Sequence, residues 1–379
     1  MLTSFEKEDL VLNRSRLCVV VIVLGLGAYA PPAQGQGDGD GALSAQVDSA
    51  VEAQQAVQKI PGVSLAVCRA GKIVKAKGYG LANLELDVPV TPETIFQTGS
   101  VGKQFTSMAM MMLFEEGKLG LDDKISKYIP QSPPAWKDVT VRELLTHTSG
   151  IPDYGSEEVM NKGVIDLHKD YTEEQLLQIF GTMPMSFSPG EKWSYSNTGY
   201  VLLGIIIRRV TGEFYGDFLQ ERIFRPLGMN STQIISEADI VPHRSAGYRL
   251  VKGQLKNQEW VSPTLNTTAD GALYTNVLDL AKWDAALYTT KLVRQSSFDE
   301  MWSPVKLNDG KTYPYGFGWA VAFRDGHKVV AHNGAWQGFT MSIARYLDDR
   351  LTVIVMTNLD SNDSKPGKIV KDVADIYLK

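Results

Sequence analysis

Cysteine is nearly absent from this 379-residue chain, which has only Cys18 and Cys68. Cys18 falls in an apolar N-terminal run, so a processed chain keeps a single thiol, forms no intramolecular disulfide and must be held by its core. Histidine is also scarce. The five residues include His147, His168 and His243, far apart in sequence, and neither an HExxH pair nor a clustered His/Cys spacing offers a metal site. A P-loop is missing, and no glycine fingerprint follows a strand and opens a helix, so the usual nucleotide-binding signals are absent. Nor is basic charge in excess: a formal net charge of −5 lacks the footprint of a nucleic-acid binder. These absences lead to the expectation of no metal, no cofactor and no nucleic-acid partner.

What is present begins with Arg14 and Arg16 ahead of "LCVVVIVLGLGAYA", Leu17 to Ala30, then Pro31, Pro32 and a Gly/Asp-rich stretch to Gly41. Basic, apolar and small residues in that order read as an export signal. The apolar run is shorter than the roughly 20 residues of a spanning helix, and Ala28-Tyr29-Ala30 fits a small-x-small cleavage pattern. The expected organisation is a signal peptide, or alternatively an uncleaved anchor, over residues 1–33 and a flexible linker over 34–44. An exported, periplasmic or secreted chain with no stable membrane span in its mature form follows from that reading.

Further along, Ala42 to Ile60 has helix-like composition and Pro61 ends it. "VSLAVCRAGKIVKAKGYG" predicts an antiparallel hairpin turning at Ala70-Gly71-Lys72. Cys68 lies inside its apolar run and reads as a buried structural thiol. From Ser100 to about residue 260 the pattern changes to helices and long loops, among them "VRELLTH" at 141–147, "TEEQLLQIF" at 172–180 and "GYVLLGIIIRRVTG" at 199–212, with Gly212 placed to end its helix. After a helix-like "NVLDLAKWDAALY" at 276–288, "KVVAHNG", "FTMSIARYL" and "RLTVIVMTNL" are β-rich, and the closing "KIVKDVADIYLK" is helical. Strands at both ends with helices between them imply one sheet assembled from distant segments, an inserted helical subdomain, and a cleft between the two.

Three short stretches there carry chemistry. In "TGSVGKQF", Ser100 and Lys103 are three apart, so on a helix they share a face at its N-terminal end, where the helix field favours an alkoxide. The alternative is a serine that merely caps the helix and a solvated lysine. In "PGEKWSYSNTGY", Tyr195 and Asn197 are two apart; in extended chain they point the same way and can face one cleft. A serine nucleophile needs a base, and a phenolate or a neutral lysine can serve. In "VVAHNGAWQGF", Gly334 within a strand marks a close backbone approach, expected here to be the substrate's. The Ala335 N–H beyond it then complements that of Ser100 as an oxyanion hole, worth about 3 kcal/mol per donor.

Taken in order, S-x-x-K, Y-x-N and H-x-G resemble the penicillin-binding-protein and class C β-lactamase superfamily of serine hydrolases. Supporting matches are "GYGLANLE", "LLTHTSGIPDY", "FSPGEKWSYSNTGY", "RPLGM", "GALYTNVLDLAKW" and "YGFGW". The resemblance implies an α/β (α+β) fold of the β-lactamase/transpeptidase-like type: an antiparallel β-sheet flanked by N- and C-terminal helices, with a mostly helical subdomain at about 100–260 inside one catalytic domain, 45–379. It implies that Ser100 is acylated, that Lys103 and Tyr195 share acid/base work, that Asn197 binds the substrate or the lysine, and that His332, Asn333 and Gly334 bind substrate. Ser100 and Ala335 would supply the oxyanion N–H groups, and Trp336 could wall an acyl pocket.

The third motif departs from the Lys-Thr-Gly of β-lactamases and D,D-carboxypeptidases. His332-Asn333-Gly334 lacks the permanent cation that holds a substrate carboxylate and is similar to family VIII carboxylesterases and D-aminopeptidase-like members. The expected function is an exported carboxylesterase-type hydrolase of small-molecule esters or amides. Alternatives are a D-aminopeptidase, a D,D-peptidase or weak β-lactamase on peptides or β-lactams, and a non-catalytic penicillin-binding-like sensor. His147 invites a triad with Ser149 or Asp153 but reads as structural. Asn230, Asn266 and Asn362 begin N-x-S/T sequons.

Overall fold

Both ends of the chain contribute strands to one seven-stranded antiparallel sheet. The computed structural model describes residues 38–360 and 362–379; the segment read as an export signal lies outside them. The sheet strands are β1 (Gly62–Arg69), β2 (Lys72–Asn83), β3 (Val88–Pro89), β4 (Ala320–Arg324), β5 (His327–Trp336), β6 (Phe339–Tyr346) and β7 (Leu351–Thr357). Their order across the sheet is β4-β5-β6-β7-β1-β2-β3. The seam between the two chain ends is β1 against β7, in register from Val63↔Thr357 to Arg69↔Leu351. Ala70 and Gly71 turn the first hairpin with φ of 51° and 73°, the left-handed pair that matches strand twist.

Alternation sorts the sheet's side chains onto two faces. Val63, Leu65, Val67, Val353 and Val355 meet Val47 and Val51 of helix α1 (Asp38–Gln58) and Ile369, Val370 and Val373 of α7 (Pro366–Tyr377). Ala66, Ile354 and Met356 face the other way, into a core shared with the helical part. With both faces covered, β1, β6 and β7 are buried almost throughout, which is why they read as apolar runs rather than alternating ones. Cys68 is a free, buried thiol on β1, and burial pushes its pKa up to about 12. Helix α1 starts at Asp38, ahead of the Ala42 expected from composition, and takes in the end of the stretch read as linker.

The helical part contains α2 (Lys103–Glu115), α3 (Val141–Leu145), α4 (Glu173–Thr182) and α5 (Asn197–Thr211). Their boundaries follow local chemistry: Thr140 with Glu143 and Thr172 with Gln175 form capping boxes, and Gly212 closes α5 at φ 80°. The helical run ends at Leu227, short of the expected 260. Beyond it a strand, Gln233–Ile234, and a hairpin, Tyr248–Val251 with Gln254–Asn257, take over. The hairpin turns at Lys252-Gly253, both at positive φ, a turn signal that the polar stretch conceals. Leu273–Thr275 then pairs with Phe96–Gln97 just ahead of Ser100, and α6 (Val277–Ala286), capped by Asn276, returns the chain toward the sheet.

Candidate active site

Ser100 sits in a tight 3-10 turn, Gly99–Gly102, immediately ahead of α2. Neither that turn nor α2 has a side-chain N-cap, so Ser100 is not a capping serine. The turn is clasped between β5 and the segment 269–272, and the clasp requires glycine on every side. A Cβ on Gly334 would lie 1.9 Å from the Thr98 carbonyl oxygen and 3.1 Å from the Ser100 nitrogen. One on Gly99, at φ 49°, would lie 2.4 Å from the Ala335 nitrogen, and one on Gly102 2.8 Å from Gly271 Cα. The close approach foreseen at Gly334 therefore exists, but the partner is the Ser100 turn itself. Across the clasp, Thr106 Oγ1, Lys103 Nζ and Thr98 Oγ1 donate to the consecutive carbonyls of Ala269 (2.7 Å), Asp270 (2.5 Å) and Gly271 (2.9 Å).

Two backbone amides face the cleft for topological reasons. The Ser100 N–H lies in the first turn of a helix, where amides have no intrahelical acceptor. Trp336 and Phe339 close the two-residue turn Gln337-Gly338 as a hydrogen-bonded pair. By the alternation of antiparallel ladders, the Ala335 N–H then points away from β6.

Lys103 is fully buried and donates all three of its protons. Besides the Asp270 carbonyl, it reaches Ser100 Oγ at 3.0 Å and Asn197 Oδ1 at 2.6 Å. Burial lowers its pKa to about 8, with the charges of Asp270 and Asp153 opposing the shift. Asn197 is itself held by Asp153, which accepts from its backbone N–H at 3.0 Å and its Nδ2 at 3.3 Å. The residues Tyr195 and Asn197 do converge, although Asn197 already belongs to α5 and only the chain before it is extended. The Tyr195 ring lies 5.0 Å from Lys103 Nζ. Its buried hydroxyl makes no hydrogen bond of good geometry. Burial pushes that phenol well above its ordinary value, and the neighbouring Ser100 pulls slightly the other way.

His332 lines the larger of the two cavities that reach Ser100. Both of its ring nitrogens have protein partners, Nε2 2.9 Å from Tyr315 Oη and Nδ1 2.6 Å from the Asn333 carbonyl. Burial, then the charge of Lys103, lowers its pKa to about 3. Asn333 lies on the exposed face of β5. His147 makes no triad: Ser149 Oγ accepts from Ile151 N and Asp153 binds Asn197. It bonds Tyr315 Oη (3.2 Å) and the Ser196 N–H (3.2 Å), and its ring packs 4.3 Å from that of Tyr195.

Ser100 is shared by two cavities. The smaller, about 210 Å³, is lined by Tyr154, Leu265, Asp270 and Trp336 among others; Trp336 is fixed there by Nε1 donating to Asn266 Oδ1 at 2.6 Å. Asn266 is thereby buried, which closes one of the sequons in the folded chain. The larger, about 800 Å³, runs along β5 past Tyr195, His332 and Asn333 toward the start of α7. Sequence reasoning missed Asp270 and Tyr315, and the parts played by Asp153 and His147. "LLTHTSGIPDY" and "YGFGW" were the available signals, since they contain three of the four.

Comparison with known proteins identifies the family. The family model described as Beta-lactamase matches residues 47–375. Over 315 residues the chain is 32% identical to penicillin-binding protein 4* of Bacillus subtilis (strain 168), an alignment covering 79% of this chain and 69% of that protein. It is 29% identical over 320 residues to the D-aminopeptidase of Gluconobacter oxydans (strain 621H), covering 84% of this chain but only 59% of that relative. Among solved structures, the octameric penicillin-binding protein homologue from Pyrococcus abyssi superposes with a TM-score of 0.77 at 33% identity, over 88% of this chain and 77% of that one. The chain thus belongs to the beta-lactamase family, and with its penicillin-binding-protein and aminopeptidase relatives it is a serine hydrolase.

Proposed function

We propose that this hydrolase works through an acyl-enzyme at Ser100 and acts on small esters or amides. The observation that carries the reading is the buried Lys103 ammonium 3.0 Å from Ser100 Oγ, with its pKa lowered to about 8. A lysine of that pKa is neutral in about one molecule in ten at pH 7, against fewer than one in a thousand for a free side chain. Burial moves Lys103 and Tyr195 in opposite directions, which favours the amine as base and leaves Tyr195 a phenol. Neutral Lys103 takes the Ser100 proton as Oγ bonds to the substrate carbonyl carbon, and the Ser100 and Ala335 N–H groups hold the oxyanion. Collapse breaks the bond to the leaving alcohol or amine, which takes the proton from Lys103 by way of the Tyr195 hydroxyl. Water, deprotonated by the same pair, then releases the acid and frees Oγ. Replacing Ser100 by Ala should lower kcat for p-nitrophenyl butyrate by at least about 10³-fold; turnover at the wild-type rate would exclude this reading.

A second substrate reading has its own support. Asp270 lines the smaller cavity, where its carboxylate accepts from Tyr154 Oη at 2.8 Å. A carboxylate lining a cavity that reaches Ser100 favours substrates carrying an amine, and one relative bears the name D-aminopeptidase. Comparing kcat/KM for a D-amino-acid amide and its N-acetyl derivative tests it; at least a tenfold preference for the free amine is expected. By contrast, His332 supplies no cation for a substrate carboxylate, which speaks against efficient penicillin or D-Ala-D-Ala hydrolysis. Export belongs to the same proposal, on the strength of Arg14, Arg16 and the apolar run after them. N-terminal sequencing of protein recovered from periplasm or medium tests that part.

A further inference from the structure

We propose that His147, Tyr315 and His332 form a one-way hydrogen-bond relay that positions Tyr195 and the Ala335 N–H for the acyl transfer at Ser100. The inference rests on that reading of Ser100, but it is drawn from separate contacts. At one end the Ser196 backbone N–H, which can only donate, meets His147 Nδ1 at 3.2 Å. At the other the Asn333 carbonyl, which can only accept, meets His332 Nδ1 at 2.6 Å. These two main-chain ends determine every proton between them. His147 Nδ1 is an acceptor, so its proton is on Nε2 and goes to Tyr315 Oη at 3.2 Å. Tyr315 must then give its own proton to His332 Nε2 at 2.9 Å, which leaves the His332 proton on Nδ1 for the Asn333 carbonyl.

Two consequences bear on the reaction. First, the relay ties the segment carrying Tyr195 to β5. His147 also receives the Ser194 N–H on its carbonyl at 2.9 Å, and its ring lies 4.3 Å from that of Tyr195. Its backbone adopts φ 60°, a left-handed conformation uncommon outside glycine, and its ring is buried. At the far end, Asn333 is two residues from Ala335. The spacing between the phenol and the oxyanion amide is thus set through side chains from three distant parts of the chain. Second, the relay commits the Tyr315 proton to His332, while the Tyr195 hydroxyl has no hydrogen-bond partner of good geometry among the described residues. Of these two adjacent phenols, only Tyr195 can turn its proton toward Ser100 or a leaving group. Tyr315 and the histidines are positioning residues and exchange no proton with substrate.

Two measurements test the relay, one of them without any substitution. Side-chain ¹⁵N NMR of the wild-type protein should show His147 as the Nε2–H tautomer and His332 as the Nδ1–H tautomer. The opposite tautomer at either residue would overturn the relay while leaving the Ser100 reading untouched. Tyr315→Phe removes the middle hydroxyl and little volume. Counted per active site titrated with a fluorophosphonate, its kcat should fall about tenfold or more with KM within about threefold. His147→Asn suits the left-handed backbone and still offers an acceptor to Ser196, but it cannot reach Tyr315; it should lose a similar factor. The double variant should be no slower than the slower single one, since both cut the same chain. Unchanged kcat per titrated site in either single variant, with only the melting temperature lowered, would reduce the network to a structural one and contradict the proposal. Failure of Ser100 to react in the wild type would instead remove the acyl-enzyme reading.

Discussion

Lys103 is the residue whose environment most directly sets the chemistry, because a buried amine costs desolvation in its charged form only. If its neutral form is the base, kcat/KM for a neutral ester should rise with pH, one proton lost per active enzyme, and level off above about pH 8. The sign follows from the pKa: below it the amine is protonated and inert. His147 and His332 are both held neutral by burial, so the acid limb should have its midpoint near pH 8 and not between 6 and 7; a midpoint there would point to a histidine base. Lys103→Met should lower kcat by about 10²–10⁴-fold, the usual span for a general base, and Tyr195→Phe by about 10²-fold, read at saturating ester. The residues behind these predictions were partly legible in the sequence. Ser100, Lys103, Tyr195 and Asn197 stand out because each pair is close in the chain and chemically unusual. Tyr315 meets His147 across 168 positions, and Asp270 enters through a backbone carbonyl that any residue possesses; neither leaves a local signature.

At the scale of elements, the site depends on how tightly a helical turn and a strand can be pressed together. Gly334→Ala would put a methyl group 1.9 Å from the Thr98 carbonyl oxygen, and backbone on both sides prevents escape. Overpacking of this kind costs about 3 kcal/mol, which urea unfolding should register. Activity should fall further than stability, because any retreat of β5 moves the Ala335 N–H away from Ser100. The sequence marked Gly334 as a close approach but assigned it to the substrate, since a single strand does not reveal what crosses it. Hairpins and capped helices were better specified. Ala70-Gly71, Thr172 with Gln175, and Gly212 act within a few residues of themselves. The hairpin at 248–257 escaped notice because Lys252-Gly253 sits in polar chain with little alternation.

Across the whole molecule, the two chain ends are joined where β7 lies between β6 and β1. A chain ending before Leu351 would lose an interior strand and α7 together, exposing Val63, Leu65 and Val67. It should show no cooperative unfolding transition by circular dichroism, whereas the full chain should show one. The sheet built from distant segments, with helices inserted between them, was foreseen from the order of patterns alone; the reach of the helical part was overestimated, because apolar periodicity fades before residue 260 while loops and short strands share its polar composition. That architecture matters for function because it brings Ser100, Tyr195 and Ala335, from three separate regions, to one cleft. Intact-mass spectrometry during turnover of a slow p-nitrophenyl ester tests this most directly. The account predicts a transient mass increase of one acyl group, mapped by peptide analysis to Ser100 and absent from Ser100→Ala. Ester hydrolysis with no adduct, or an adduct on any other residue, would contradict it.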